Sequence, residues 1–177
     1  MNTETTALAG PVTITTEPPV ARFNLRVRPD GRGAAGKAFG LEPPEKVGQG
    51  AHGDRRSVWC LGPDEWLLHA PEAETEDVAA AFAAIRPETP HSLVDISDRE
   101  LVYALEGERA RELLTIGCPI DLARMEPGTA KRTLFDTAQI VLLRDASDRF
   151  RIEVWRSFAP HVEDLLRIGN AELASGF

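Results

Sequence analysis

Asp95 and Asp98 stand three residues apart at the end of an apolar run. Paired carboxylates at a strand end could divide acid and base roles between them. The surrounding Val94-Asp-Ile-Ser-Asp-Arg99 also suits a turn in which Asp and Ser oxygens hold backbone N–H groups and Asp98 or Glu100 pairs with an arginine. We favour the turn. A second candidate is Gly31-Arg-Gly33-Ala-Ala-Gly36, a glycine pattern that can cradle a pyrophosphate at a helix N-terminus. That use needs a long helix and a following parallel strand. Here Gly40 and Pro43-Pro44 arrive within a few residues, so a helix of about two turns and a turn-forming role are expected. Trp59 and Trp66 are close enough in sequence to stack a flat ligand, but tryptophans in short apolar strands more often anchor a core or an interface. His52, His69, His91 and His161 show no i, i+3 or i, i+4 pairing, and no metal or hydrolase motif contains them. Cys60 and Cys118, each between apolar neighbours, read as two buried thiols. There is no GxSxG, no P-loop and no nucleophile–base motif, although spacing alone leaves open a constellation assembled in space.

The elements that would position these residues can be read from periodicity. Ala21, Phe23, Leu25 and Val27 alternate with Arg22, Asn24, Arg26 and Arg28, which predicts a half-buried strand with a basic outer face. That face is either solvated or a dock for an acidic partner. Ser57–Leu61 and Glu65–His69 flank Gly62-Pro-Asp64, a hairpin pattern. Val78, Phe82 and Ile85 recur at helical spacing within residues 72–86, with acids in the first turn. Strands are expected at 91–96 and 100–106, then a Gly107 hinge and a short helix carrying Ala110, Leu113 and Leu114. Gly117 and Pro119 stop that helix. Lys131–Phe135, Gln139–Arg144 and Phe150–Trp155 form a meander, and a last helix starts near Pro160 with Val162, Leu165 and Leu166 on its apolar stripe. The expected fold is α+β, two-lobed, with antiparallel sheets and packed helices. Its lobes are roughly residues 21–90 and 91–168 of a single domain at 21–168. Residues 1–20 read as an arm, mobile or packed on a partner, in which Val12 and Ile14 alternating with Thr allow a short strand, and 169–177 as a fraying tail.

Composition narrows the function. The 177 residues carry a net charge of −8, which argues against nucleic acid. Arginine far outnumbers lysine, present only as Lys37, Lys46 and Lys131; this suits bidentate ion pairs, though GC-rich coding would produce it too. No apolar stretch approaches the ~20 residues of a membrane span. Residues 1–6 have neither a basic nor an apolar signal region, so a cytoplasmic protein is expected.

Several linked stretches carry a resemblance. The strand ending Val94-Asp-Ile-Ser97, the strand into Gly107, the helix with Ala110 and Leu113-Leu114, Asp121-Leu122 and Pro127-Gly128 resemble the folate-binding aminomethyltransferase (T-protein-like) superfamily. Within it, five stretches resemble the gamma subunit family of heterotetrameric sarcosine oxidase: Trp59 to Leu68, Val94 to Arg99, Gly117 to Leu122, Arg132-Thr133 and Arg156 to Ala159. The resemblance implies an aminomethyltransferase-like fold and a structural subunit in a complex with alpha, beta and delta partners. That complex oxidises sarcosine to glycine, passes formaldehyde to tetrahydrofolate and electrons to oxygen. FAD, FMN, NAD, zinc and tetrahydrofolate are expected in the partners. In this chain no catalytic, cofactor-binding or metal residue is expected. An autonomous folate-binding or one-carbon transfer protein, or a subunit acting on a related N-methyl amine, is the alternative.

Overall fold

The computed structural model describes residues 7–8 and 10–176. In chain order these form β1 (Ala7–Leu8), β2 (Thr13–Thr16), β3 (Ala21–Val27), α1 (Arg32–Phe39), β4 (Gly50–His52), β5 (Ser57–Gly62), β6 (Glu65–Ala70) and α2 (Thr75–Ile85). They continue with β7 (His91–Asp95), β8 (Glu100–Glu106), α3 (Ala110–Leu114), β9 (Thr129–Phe135), β10 (Ala138–Arg144), β11 (Arg149–Trp155) and α4 (Ala159–Ser175). The chain divides into two units: Pro19–Ser97, and a second built from Met1–Pro18 together with Asp98–Phe177.

The continuous unit is an antiparallel five-stranded sheet in the order β4-β5-β6-β3-β7. Alternation along β3 puts Phe23, Leu25 and Val27 on one face, where they join Trp66, Leu68, Phe39 of α1 and Val78 and Phe82 of α2 in a buried cluster. Deleting a side chain such as Phe82 from this cluster would cost about 3–5 kcal/mol. The glycine-rich stretch does not form a nucleotide loop. A single 3-10 turn at Pro29–Gly31 leads into α1, eight residues long, and no parallel strand follows. Gly31 and Gly36 serve close packing, a Cβ on Gly36 lying 3.0 Å from the Glu42 Cα, whereas a Cβ on Gly33 would meet nothing within 4 Å. Gly40 closes the helix in the left-handed conformation at φ 78°.

The other unit is an antiparallel six-stranded sheet in the order β1-β2-β8-β11-β10-β9. Tyr103, Leu105, Ile140, Leu142, Phe150, Ile152 and Val154 form its inner face and pack with Leu113 and Leu114 of α3 and Val162 and Leu166 of α4. The expected meander is present, with β9 and β10 joined through Asp136-Thr137. Asp136 adopts a left-handed φ of 54° there, a conformation Asp tolerates better than most residues.

Three boundaries differ from the expectation. The lobes part at 97/98 rather than 90/91, because β7 pairs with β3 while β8 pairs with β2 and β11. The expected arm is integral to a sheet: Thr13–Thr16 pair with Tyr103–Glu106, and Val12 and Ile14 are buried in the core. Asn170 clamps the approach to β2, its Oδ1 accepting from the Val12 N–H at 3.0 Å and its Nδ2 donating to the Val12 carbonyl at 2.8 Å. The expected tail is also helical, since α4 runs through Ser175. Gly169 does not stop it. That glycine lies inside α4 because a Cβ there would come within 2.6 Å of the Ile116 side chain.

Candidate functional site

The densest group of chemically capable side chains lies on the second face of the five-stranded sheet. The register places Arg22 opposite His69, and Arg26 opposite Glu65. Alternation in β6 then puts Glu65, Leu67 and His69 on the face away from Trp66 and Leu68. Arg22, the first residue of the predicted basic outer face, is only 2% exposed, so of the two readings of that face the solvated one does not hold for Arg22. Its Nε donates to His69 Nε2 at 3.2 Å. A guanidinium cannot accept, so Nε2 of His69 acts as the acceptor and carries no proton. Glu65 takes 2.7 Å and 2.9 Å hydrogen bonds from Asn24 and Arg26 on its two oxygens. Arg26 also reaches Asp64 at 3.1 Å. The basic stripe is therefore met by acids and an imidazole from the adjacent strand.

Trp59 belongs to the same face, and Trp66 to the opposite one. The β5–β6 register pairs Trp59 with Leu67 and Cys60 with Trp66, so the two indoles cannot stack one ligand between them. Trp66 is in the core and donates its Nε1–H to the Pro44 carbonyl at 2.8 Å. Trp59, 1% exposed, is held edge-to-face by His52 at 5.4 Å and His69 at 4.8 Å. Both tryptophans act as anchors. Chemically, this layer holds its bases in existing bonds: the His69 lone pair faces a guanidinium, and both Glu65 oxygens accept hydrogen bonds. The group could have been found by applying the period of two to Glu65–His69 as well as to β3.

The Asp95–Asp98 corner is a turn, as favoured. Asp95 Oδ1 accepts from the Ser97 N–H at 2.9 Å and from its hydroxyl at 2.6 Å, and Ser97 Oγ accepts from the Arg22 N–H at 2.9 Å. Glu100 pairs with Arg99 at 2.9 Å, and the Asp98 carbonyl accepts from Arg156 Nε at 2.9 Å. The carboxylates of Asp95 and Glu100 are thus used locally. Both cysteines are buried thiols without a disulfide. Burial pushes the Cys118 thiol up to about 12, and it also raises that of Cys60. Among the described residues no three His, Cys, Asp or Glu side chains are grouped to hold a metal ion. An open groove of about 530 Å³ runs between α3 and the turn at 121–123, lined by Glu108, Arg111, Thr115, Ile120 and Asp121. Asp121 already caps the Ala123 N–H at 3.0 Å.

Two antiparallel sheets with helices packed on them define a class of fold. It is the fold of aminomethyltransferase T from Bartonella henselae, with a TM-score of 0.65 at 13% identity, covering 83% of this chain and 43% of that one. At this identity the likeness is one of fold. The family is narrower: the model of the sarcosine oxidase, gamma subunit family matches residues 27–172, and the chain belongs to that family. Sarcosine oxidase subunit gamma from Corynebacterium sp. (strain U-96) is 33% identical over 148 residues, 79% of this chain and 70% of the relative. The heterotetrameric sarcosine oxidase from Corynebacterium sp. U-96, solved in complex with pyrrole 2-carboxylate, contains a chain that superposes with a TM-score of 0.84. The two are 29% identical, and the match covers 95% of this chain and 89% of that one.

Proposed function

We propose that this chain is a non-catalytic structural subunit of a heterotetrameric sarcosine oxidase-type complex in the cytoplasm. Its partners are the alpha, beta and delta subunits. The complex demethylates sarcosine oxidatively to glycine, with the one-carbon unit passed to tetrahydrofolate and electrons to oxygen, giving hydrogen peroxide. FAD, FMN, NAD, zinc and the folate belong to the partners. Membership of the gamma subunit family carries this reading. A chemical observation supports it: the imidazole, carboxylate and guanidinium groups gathered on the five-stranded sheet hold one another.

Co-purification tests the proposal. The tagged chain, isolated from its host, is expected to bring down yellow, flavin-bearing partners across a contact of more than about 1,000 Å². A colourless monomer would overturn it. Tetrahydrofolate binding by the isolated chain at micromolar affinity would instead favour an autonomous folate protein.

A further inference from the structure

Among the described residues four strands lie at sheet edges, and they differ in length. β1, β4 and β7 have two, three and five residues, whereas β9 has seven and pairs with β10 along its whole length. Long regular edges present a row of backbone donors and acceptors to any strand that fits, and proteins commonly shorten or cover them. β9 is neither short nor interrupted by proline, and Lys131, Arg132 and Leu134 along it are exposed.

A row of apolar surface leads away from that edge. Leu134 pairs with Gln139, and one step beyond the Ile140–Val154 pair Gln139 comes beside Trp155. Phe135 and Val154 point into the core, so alternation turns Leu134 and Trp155 to the other face. They are 43% and 45% exposed. The Arg99 guanidinium lies 5.3 Å from the centre of the Trp155 indole and steadies it. β9 carries the exposed Lys131 and no acid, within a chain of net charge −8, while Arg144 at the end of β10 is held by the carbonyls of Met125, Ala146 and Ser147. Two copies meeting at this edge would set Lys131 and Arg132 against their own kind, which disfavours self-pairing.

We propose that β9 is the docking edge for an extended, acidic segment of a partner subunit, which adds as a further strand and seats an apolar side chain against Leu134 and Trp155. Main-chain bonds would supply adhesion, and the basic residues and the apolar row would supply selectivity. This inference rests on the structural-subunit reading and names the surface that reading requires.

Hydrogen exchange on the purified complex and on the isolated chain tests it. The amides of residues 129–135 that point away from β10 are expected to exchange about 100-fold more slowly in the complex. Equal rates in the two states overturn the inference. Lys131→Glu combined with Leu134→Asp should lower the yield of co-purified partner about tenfold or more while the isolated variant melts cooperatively like the parent. Assembly of that variant at the parent's yield would also overturn it. Should the variant not fold, the exchange comparison decides alone. If the parent chain brings down no partner at all, the structural-subunit reading fails first, and the docking edge falls with it.

Discussion

Replacing Asn170 with alanine removes the side-chain partners of both the N–H and the carbonyl of a buried residue, Val12, in one step. Asn170 is 4% exposed and Val12 is fully buried, so water cannot take over the Val12 N–H and carbonyl without local opening. The lost contacts are 3.0 Å and 2.8 Å long. Each buried polar group left unsatisfied costs about 1–3 kcal/mol. The gain in helix propensity from Asn to Ala returns about 0.5 kcal/mol. The net loss is about 2–5 kcal/mol, a large share of the ~5–15 kcal/mol that separates folded from unfolded domains. For a chain of this size that lowers the melting temperature by roughly 5–15 °C. Thermal melting followed by circular dichroism reads the total. Hydrogen exchange reads the location, since amides at 10–16 should exchange faster while β10 and β11 stay protected. A melting temperature within 1 °C of the parent, or unchanged exchange at 10–16, would refute the view that this amide clamps the N-terminal segment.

Tyr103, the single tyrosine, donates its hydroxyl to Glu163 at 3.0 Å and lies 3.3 Å from the Ala159 carbonyl. Tyr103→Phe should cost about 1–2 kcal/mol in denaturant unfolding. Burial, then the hydrogen bond to Glu163, raises the phenol above its ordinary value of 10.0. The native chain should therefore show no tyrosinate absorbance near that pH, and this contribution to stability is lost as pH rises beyond it. The hydrogen bond from His161 at 2.8 Å, then those from Thr137, hold the Asp136 carboxyl below its ordinary 3.8. That contribution is present above pH 3.8 and disappears as acid protonates the folded form. Asp136→Asn should flatten the acid limb of a stability–pH curve. Because burial raises both thiols, a thiol reagent at pH 8 should label neither cysteine quickly in the native chain and both after denaturation.

Local pattern revealed much of this fold. The alternation in β3, the helical spacing of Val78, Phe82 and Ile85, and the meander from 129 to 155 all report contacts between residues near in sequence. What escaped was non-local. Nothing in Thr13–Thr16 announces that its partner is β8, about 90 residues on, so the segment read as an arm. Nothing in Gly169 distinguishes a helix stop from a close approach to Ile116. The polar layer around His69 was half legible. Alternation places Arg22 on the correct face, but it cannot decide between a wet and a covered one, because burial of that face depends on the tertiary structure. The two tryptophans were recognised as anchors, while their opposite facing followed only from the register of the hairpin.

One unit is continuous in sequence and interrupts the other. On the ribosome this sets an order of events. The five-stranded sheet has all its strands once Asp95 has emerged, so it can close early. β2, made before it, must wait for β8 to be synthesised, and Asn170 arrives later still. At about 5–20 residues per second that leaves β2 without β8 for roughly 4–20 s. During that interval Val12 and Ile14 are exposed to chaperones and proteases. Substitutions in β2 should therefore lower the yield of nascent chains more than they lower the stability of the finished protein.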